Sequence, residues 1–198
     1  MTGLRIIGAG GHGRVVAEVA DAMGYTDIAF LDDRFGQIQH VGRFAVVGLS
    51  GDDSALPRFC AIGGNAIRAQ MFEQSGLMDS PVLIHPSAVI SPSARLGAGT
   101  VAMAGSIVNA DAHVGTGVIL NTGCSVDHDC GLADFVHLSP GVRLAGGVTI
   151  GPRSWIGIGA VVREGITIGA DVIVAAGAAV VADIPDGARV GGVPARQI

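Results

Sequence analysis

The stretch Asn121–Cys130, NTGCSVDHDC, sets His128 between two aspartates in a region made almost wholly of small and aliphatic residues. An imidazole titrates near neutral pH, and a neighbouring carboxylate can orient the ring and stabilise its protonated form. That combination suits a general base that takes a proton from an attacking nucleophile, with an adjacent aspartate as the partner. A solvated polar corner is the alternative. Cys124 and Cys130 lie in the same stretch, but a spacing of six matches no zinc motif.

A second chemistry-bearing stretch is Gly8-Ala-Gly10-Gly11-His12-Gly13, a G-x-G-x-x-G run with a strand-like segment before it and a helix-like one after. Backbone N–H groups at a helix N-terminus hold phosphate, and an acidic residue about 20 positions on grips ribose. Asp32 and Asp33 stand there. Three readings are open: a dinucleotide, a diphosphate on a single nucleoside such as a nucleotide sugar, or a tight turn alone. Roughly eighty residues hold only half a dinucleotide fold, which favours the single nucleoside.

Two kinds of element must position these groups. From Ile84 to Val180, every sixth residue is Ile, Leu or Val except Ala102. The residue four places further on, from Ala88 to Ile184, is never charged and never an aromatic. No insertion breaks the register. A period of six with two inward positions describes short strands joined by tight bends and stacked about 4.8 Å apart. Cys124 and Cys130 both fall at the small inward position, as buried side chains. His128 and Asp129 fall at outward ones. Nine of the fifty-one outward positions are charged, below the ~25–35% of a solvated surface, so part of the outside is expected to meet another subunit. Before residue 84 the pattern changes. LRIIGAG, DIAFLDD, FAVVG and RFCAIGG read as strands, RVVAEVADAMG and NAIRAQMFEQSG as helices, and their alternation implies a small parallel sheet. His40 falls in a loop-like stretch.

Composition narrows the classes. The chain has 198 residues, net charge −5, 15% charged and 49% hydrophobic residues, and 32 glycines. The acidic balance excludes nucleic acid as a partner, and the most apolar stretch, 172–184, is too short and too rich in Gly and Ala for a membrane span. Without a signal-peptide pattern at its start and with three cysteines, the chain reads as cytoplasmic with no disulfide framework.

The hexad array resembles the left-handed parallel β-helix of the hexapeptide-repeat acyltransferases, where three hexads make one triangular coil; about 5.7 coils are implied. Such proteins are usually trimers with acyl-CoA between neighbouring helices. GAGGHG, FLDD, AIGGN, NTGCSVDHDC and GGVPAR together make the whole chain similar to the bacterial nucleotide-amino-sugar N-acetyltransferases of the bacillosamine and perosamine type, whose layout the sialic-acid O-acetyltransferase-type proteins share. The resemblance implies a small N-terminal α/β (Rossmann-like βαβ) domain at 1–83 that binds the nucleotide sugar. It is followed at 84–198 by a left-handed β-helix that binds acetyl-CoA as co-substrate and carries catalysis, in a homotrimer and with no metal. His128 then matches the base, Asp129 its acidic partner, and Gly146 an oxyanion donor through its N–H. Relatives often carry Glu where Asp129 stands. Gly10, Gly11, His12, Asp32, Asp33 and Gly63 match nucleotide-holding positions. Arg34 stands where relatives commonly have Lys. Asn121 matches a residue near the acceptor sugar, and His137, Ile158 and Ala176 match acetyl-CoA contacts. Competing expectations are an O-acetyltransferase acting on a sugar or sialic acid, a non-enzymatic nucleotide sensor, and a zinc carbonic anhydrase using His113, His128 and His137.

Overall fold

The computed structural model describes residues 3–198; Met1 and Thr2 lie outside the described residues. The first part contains β1 (Gly3–Ile7), α1 (Gly11–Ala22), β2 (Asp27–Leu31), β3 (His40–Val41), β4 (Phe44–Gly48), β5 (Arg58–Cys60) and α2 (Asn65–Gln74). The sheet order is β3-β4-β2-β1-β5, parallel apart from an antiparallel β3–β4 edge hairpin. His40 therefore sits in an edge strand and not in a loop. Gly42, with φ 60°, makes the tight turn that pairs His40 with Ala45. Helix α1 buries Val16, Ala17, Val19 and Ala20 against the sheet. It packs so closely that a Cβ on Gly13 would stand 2.0 Å from the Gly8 carbonyl oxygen. The third glycine of the motif is thus fixed by helix–strand contact, while Gly8, at φ 101°, makes the turn itself.

From Leu83–Ile84 to Ala179–Val180 the chain makes seventeen two-residue strands, and each of the first fourteen pairs in parallel with the strand 18 residues on. They form the three walls of a left-handed triangular prism. Wall one holds Leu83, Val101, Ile119, His137, Trp155 and Ile173 as its outer column. Wall two holds Ser125–Val126 and Arg143–Leu144; wall three holds Gly131–Leu132 and Thr149–Ile150. The inward residues form one apolar column in which Val126, Leu138 and Ile156 are fully enclosed. Cys124 and Cys130 lie in it as free thiols, and burial pushes the Cys124 thiol up to about 12. Ile90 and Leu96 are only half-buried, because the first coil forms the open end of the column.

The fourth residue of each hexad turns every corner. From Gly99 to Gly177, fourteen successive corner residues have φ between 55° and 70°. Nine are glycine; the others are Asp111, Asp129, Phe135, Arg153 and Asp171. Aspartate tolerates this left-handed conformation, whereas a bulky aromatic does so only under support. Phe135 has that support: its ring meets Phe72 of α2 edge-on, and its carbonyl accepts a bond from Arg68.

The sheet domain docks on wall one. Leu83, Val101 and Ile119 share a single core with Leu4, Val16, Phe30 and Phe59. On this wall a residue's nearest outer neighbours are those 18 positions away, so the covering domain decides which of them are aliphatic.

Candidate active site

His128 and Asp129 occupy the prism edge between walls two and three. His128 Nδ1 lies 2.8 Å from Asp129 Oδ2. An ionised Asp129 accepts the Nδ1 proton and leaves the Nε2 lone pair free to act as a base. The left-handed turn at Asp129, φ 59°, sets this side chain beside the ring. Asp127 Oδ1 accepts the His128 N–H at 2.8 Å and the Asn109 side-chain amide at 2.9 Å, which fixes the backbone under the base. The Asp129 hydrogen bond, and then the charge of Asp127, hold the imidazole pKa above its ordinary value. Both side chains of the dyad are more than half exposed.

Gly146 is 18 residues beyond His128 and stands on the same edge one coil on. A Cβ there would lie 2.6 Å from His128 Cε1 and 2.7 Å from Nε2, so the imidazole rests directly over this glycine. The Gly146 N–H donates to no group among the described residues. A free base nitrogen and a free backbone donor therefore lie together, the pair that acyl transfer through a tetrahedral oxyanion requires.

His137 is in a different environment. It is 7% exposed and stacks on Trp155 with rings 5.5 Å apart and 3° from parallel. The Trp155 Nε1 proton goes to Ser139 Oγ at 2.7 Å. Asn121 Oδ1 accepts the Thr122 N–H, so the Asn121 amide faces His137 Nε2 at 3.2 Å and donates to it. His137 is thus the neutral, Nδ1-protonated tautomer. The His12 ring of the glycine loop approaches within 6.3 Å. Burial, then the charge of Arg68, then that of His12, push His137 down to about 3; burial and Arg68 push His12 down to about 4.

These lowered pKa values make the domain junction acid-labile. In the unfolded chain both histidines take up a proton near pH 6.5, whereas the folded state resists until about pH 3–4. The unfolded state binds more protons in that window, so stability falls as pH drops below 6.5. The loss by pH 5 is of the order of 1–2 kcal/mol per histidine. Melting temperatures at pH 7.5 and pH 5 in wild type and His137→Gln test this: the fall should be smaller in the variant, and an equal fall refutes it.

Ile158 and Ala176 share the edge between walls one and two. With Trp155, Pro140 and Ile173 they line an apolar groove of about 360 Å³, and their N–H groups donate to nothing among the described residues. In the sheet domain a cleft of about 300 Å³ opens at the C-terminal ends of β1 and β2, lined by Gly8, Asp32, Asp33, Arg34, Ser50 and Ile67. Gly10, Gly11 and Gly63 have open space where a Cβ would stand, and no side chain caps the N-terminus of α1 or α2. Asp32 is engaged internally. Its carboxylate accepts the Ala9 N–H at 2.7 Å, the Arg34 N–H at 2.9 Å and two guanidinium protons of Arg34, which hold it far below the usual carboxylate range. It clamps the glycine loop. Asp33 is exposed and accepts bonds from Ser50.

The site residues therefore fall into two groups. His12, Gly63, Asn121 and His137 meet at the domain junction, with the cleft at the ends of β1 and β2 on one side and the Ile158–Ala176 groove on the other. His128, Asp129 and Gly146 lie on the opposite edge, because the edge between walls two and three faces away from wall one. His113, on wall three, and His137, on wall one, are likewise separated from His128 and form no common ligand set with it. Asp127, Arg68 and Trp155 are further site members. Trp155 was legible as the residue 18 after His137; nothing in the spacing marks Arg68.

The PglD N-terminal domain family matches residues 3–75, and the bacterial transferase hexapeptide family (six repeats) matches residues 147–182. The UDP-N-acetylbacillosamine N-acetyltransferase of Bacillus subtilis is 42% identical over 114 residues, 52% of each chain, so the match spans about half the length of that curated relative. The acetyltransferase domain of PglB from Neisseria gonorrhoeae, solved with acetyl coenzyme A, is 47% identical across 98% of both chains with a TM-score of 0.93. PerB from Caulobacter crescentus, solved with CoA and GDP-perosamine, is 44% identical across 99% of this chain and 97% of its own, with a TM-score of 0.91. The fold is that of a hexapeptide-repeat acetyltransferase, and the chain belongs to the family of nucleotide-amino-sugar N-acetyltransferases that carry a PglD-type N-terminal domain.

Proposed function

We propose that this protein transfers the acetyl group of acetyl-CoA to the amine of a nucleotide-linked amino sugar, with residues 1–83 binding the nucleotide sugar and 84–198 binding acetyl-CoA. The observation that carries this is the His128–Asp129 pair over the unbonded Gly146 N–H. Acetyl-CoA lies along the Ile158–Ala176 groove beside His137. The diphosphate rests on the glycine loop, with Gly10, Gly11, His12, Asp33, Arg34 and Gly63 around it and Asp32 clamping the loop, and the sugar reaches past Asn121. The amine attacks the thioester carbonyl while His128 Nε2 takes its proton. The Gly146 N–H stabilises the oxyanion, the C–S bond breaks, and CoA leaves as its thiol with the proton that His128 took, which returns the base to its neutral form. The test is release of CoA thiol with UDP-, GDP- and dTDP-linked amino sugars, beside the matching hydroxyl sugars. Turnover with an amine supports the reading; turnover only with a hydroxyl acceptor, or with none, sinks it.

The two groups of residues require more than one subunit. A chain's nucleotide domain sits on wall one, and its own base stands on the far edge. A homotrimer resolves this by placing the base of one subunit against the groove and nucleotide cleft of the next. Mixed trimers should show it. His128→Ala lacks the base, and Gly10→Leu fills the open space over α1. Each is inactive alone. Refolded together in equal amounts they should recover about one quarter of wild-type activity, since random assembly pairs two intact halves at one site in four. No recovery refutes the shared site.

A further inference from the structure

Arg68 carries a charge that meets no carboxylate among the described residues. It is 1% exposed, and its five N–H protons all go to neutral oxygens: Nε to Gly117 O at 2.7 Å, Nη1 to Ile62 O at 2.9 Å and Gly63 O at 3.2 Å, and Nη2 to Asn65 Oδ1 and Phe135 O, both at 2.9 Å. A buried cation without a counter-ion is costly and persists only where its hydrogen bonds are complete or where an anion arrives to meet it. The bonds are complete here, and they join three parts of the molecule. Gly117 and Phe135 are corners of the β-helix, Asn65 begins α2, and Ile62 and Gly63 form the loop before it.

The bonds to the loop decide which way its peptides face. In a trans peptide the C=O and the following N–H point in opposite directions. With the Ile62 and Gly63 carbonyls turned onto the guanidinium, the N–H groups of Gly63 and Gly64 point away from it, and neither donates to a group among the described residues. The space over Gly63 is open. Across the junction His12 Nε2 is buried and has no hydrogen-bond partner among the described residues. A buried cation without a counter-ion and outward amides both suit an anion.

We infer that Arg68 is the positioning residue of the diphosphate cradle: through the Ile62 and Gly63 carbonyls it aims the Gly63 and Gly64 amides at the nucleotide's diphosphate, and it supplies the charge that the diphosphate balances without touching it. This rests on the nucleotide-sugar reading above. Titration of UDP, GDP and dTDP, each against its nucleoside monophosphate, tests it in wild type, Arg68→Lys and Arg68→Met. Wild type should bind at least one diphosphate at least tenfold tighter than its monophosphate. Arg68→Lys keeps the charge but not the five bonds, so it should retain part of that preference; Arg68→Met should lose it, with monophosphate affinity within about threefold of wild type. A folded Arg68→Met that keeps the full preference overturns the inference and leaves the proposed function standing. A wild type that binds no diphosphate overturns both. Should neither variant melt cooperatively, the guanidinium protons of arginine-labelled wild type decide. They should shift and exchange more slowly on adding the bound diphosphate and not on adding its nucleoside, and unchanged protons overturn the inference.

Discussion

His128→Ala should lower kcat by about 10²–10⁴-fold, the contribution of a positioned general base, and leave acetyl-CoA affinity within a few-fold. The ring reaches no core group, and its one side-chain partner is the exposed Asp129, so the fold should melt as before. The pH profile separates a base from a binding group. The base works only when neutral. Because Asp129 and then Asp127 raise the imidazole pKa, kcat/KM should rise with pH through a value above the ordinary 6.5 and then level off. Asp129→Asn removes the larger cause. Its limb should move to lower pH and its plateau should fall, since a weaker base is also a poorer one. Thiol release between pH 5.5 and 9 records both, and a limb that stays in place in Asp129→Asn would show that this carboxylate does not set the base.

Gly146→Ala should cost about 10–100-fold in kcat, the scale expected when a reacting group is displaced by an ångström. The added methyl would stand 2.6 Å from the His128 ring, well inside contact distance, and the imidazole is exposed and free to swing off the edge. Gly146 does not have the positive φ of its neighbour Gly147, so alanine brings no backbone strain of that kind. The melting temperature should change little. Gly131→Ala is the control, because its methyl meets only Thr149, at 3.9 Å, and should leave activity near wild type. The double variant His128→Ala/Gly146→Ala should be little worse than His128→Ala alone, as the added methyl acts through the ring it displaces and leaves the backbone N–H in place. Additive losses would assign Gly146 a separate, larger part in holding the oxyanion.

The β-helix was legible because each hexad repeats one local rule, and a rule stated seventeen times needs no long-range information. The inward cysteines and the outward dyad followed directly from that register. The G-x-G-x-x-G loop was legible for the same local reason, and Gly13 meets the Gly8 carbonyl as the motif demands. Contacts that depend on coil stacking or domain docking were harder to read. Asp127 stood in the sequence only as one of the two aspartates flanking His128; the coil before it brings Asn109 to its carboxylate. Asp32 looked like a ribose ligand, yet its bonds run to Ala9 and Arg34. Arg68 lies in NAIRAQMFEQ, an ordinary helical segment, and its partners Gly117 and Phe135 are 49 and 67 residues away. His40 was misread because a two-residue hairpin strand carries too little pattern to register.

The core shared by the sheet domain and wall one bears on any attempt to exchange sugar preference between relatives. Leu83, Val101 and Ile119 lie under the first domain as fully as its own Leu4 and Phe30 do. A graft joined at residue 83 would set a foreign underside on a strip shaped for the native one, and a β-helix fragment beginning at residue 84 would bare Val101 and Ile119 to water and self-associate. A transplantable specificity unit is therefore discontinuous in sequence: the N-terminal segment together with every eighteenth residue of the strip beneath it, from Leu83 to Trp155.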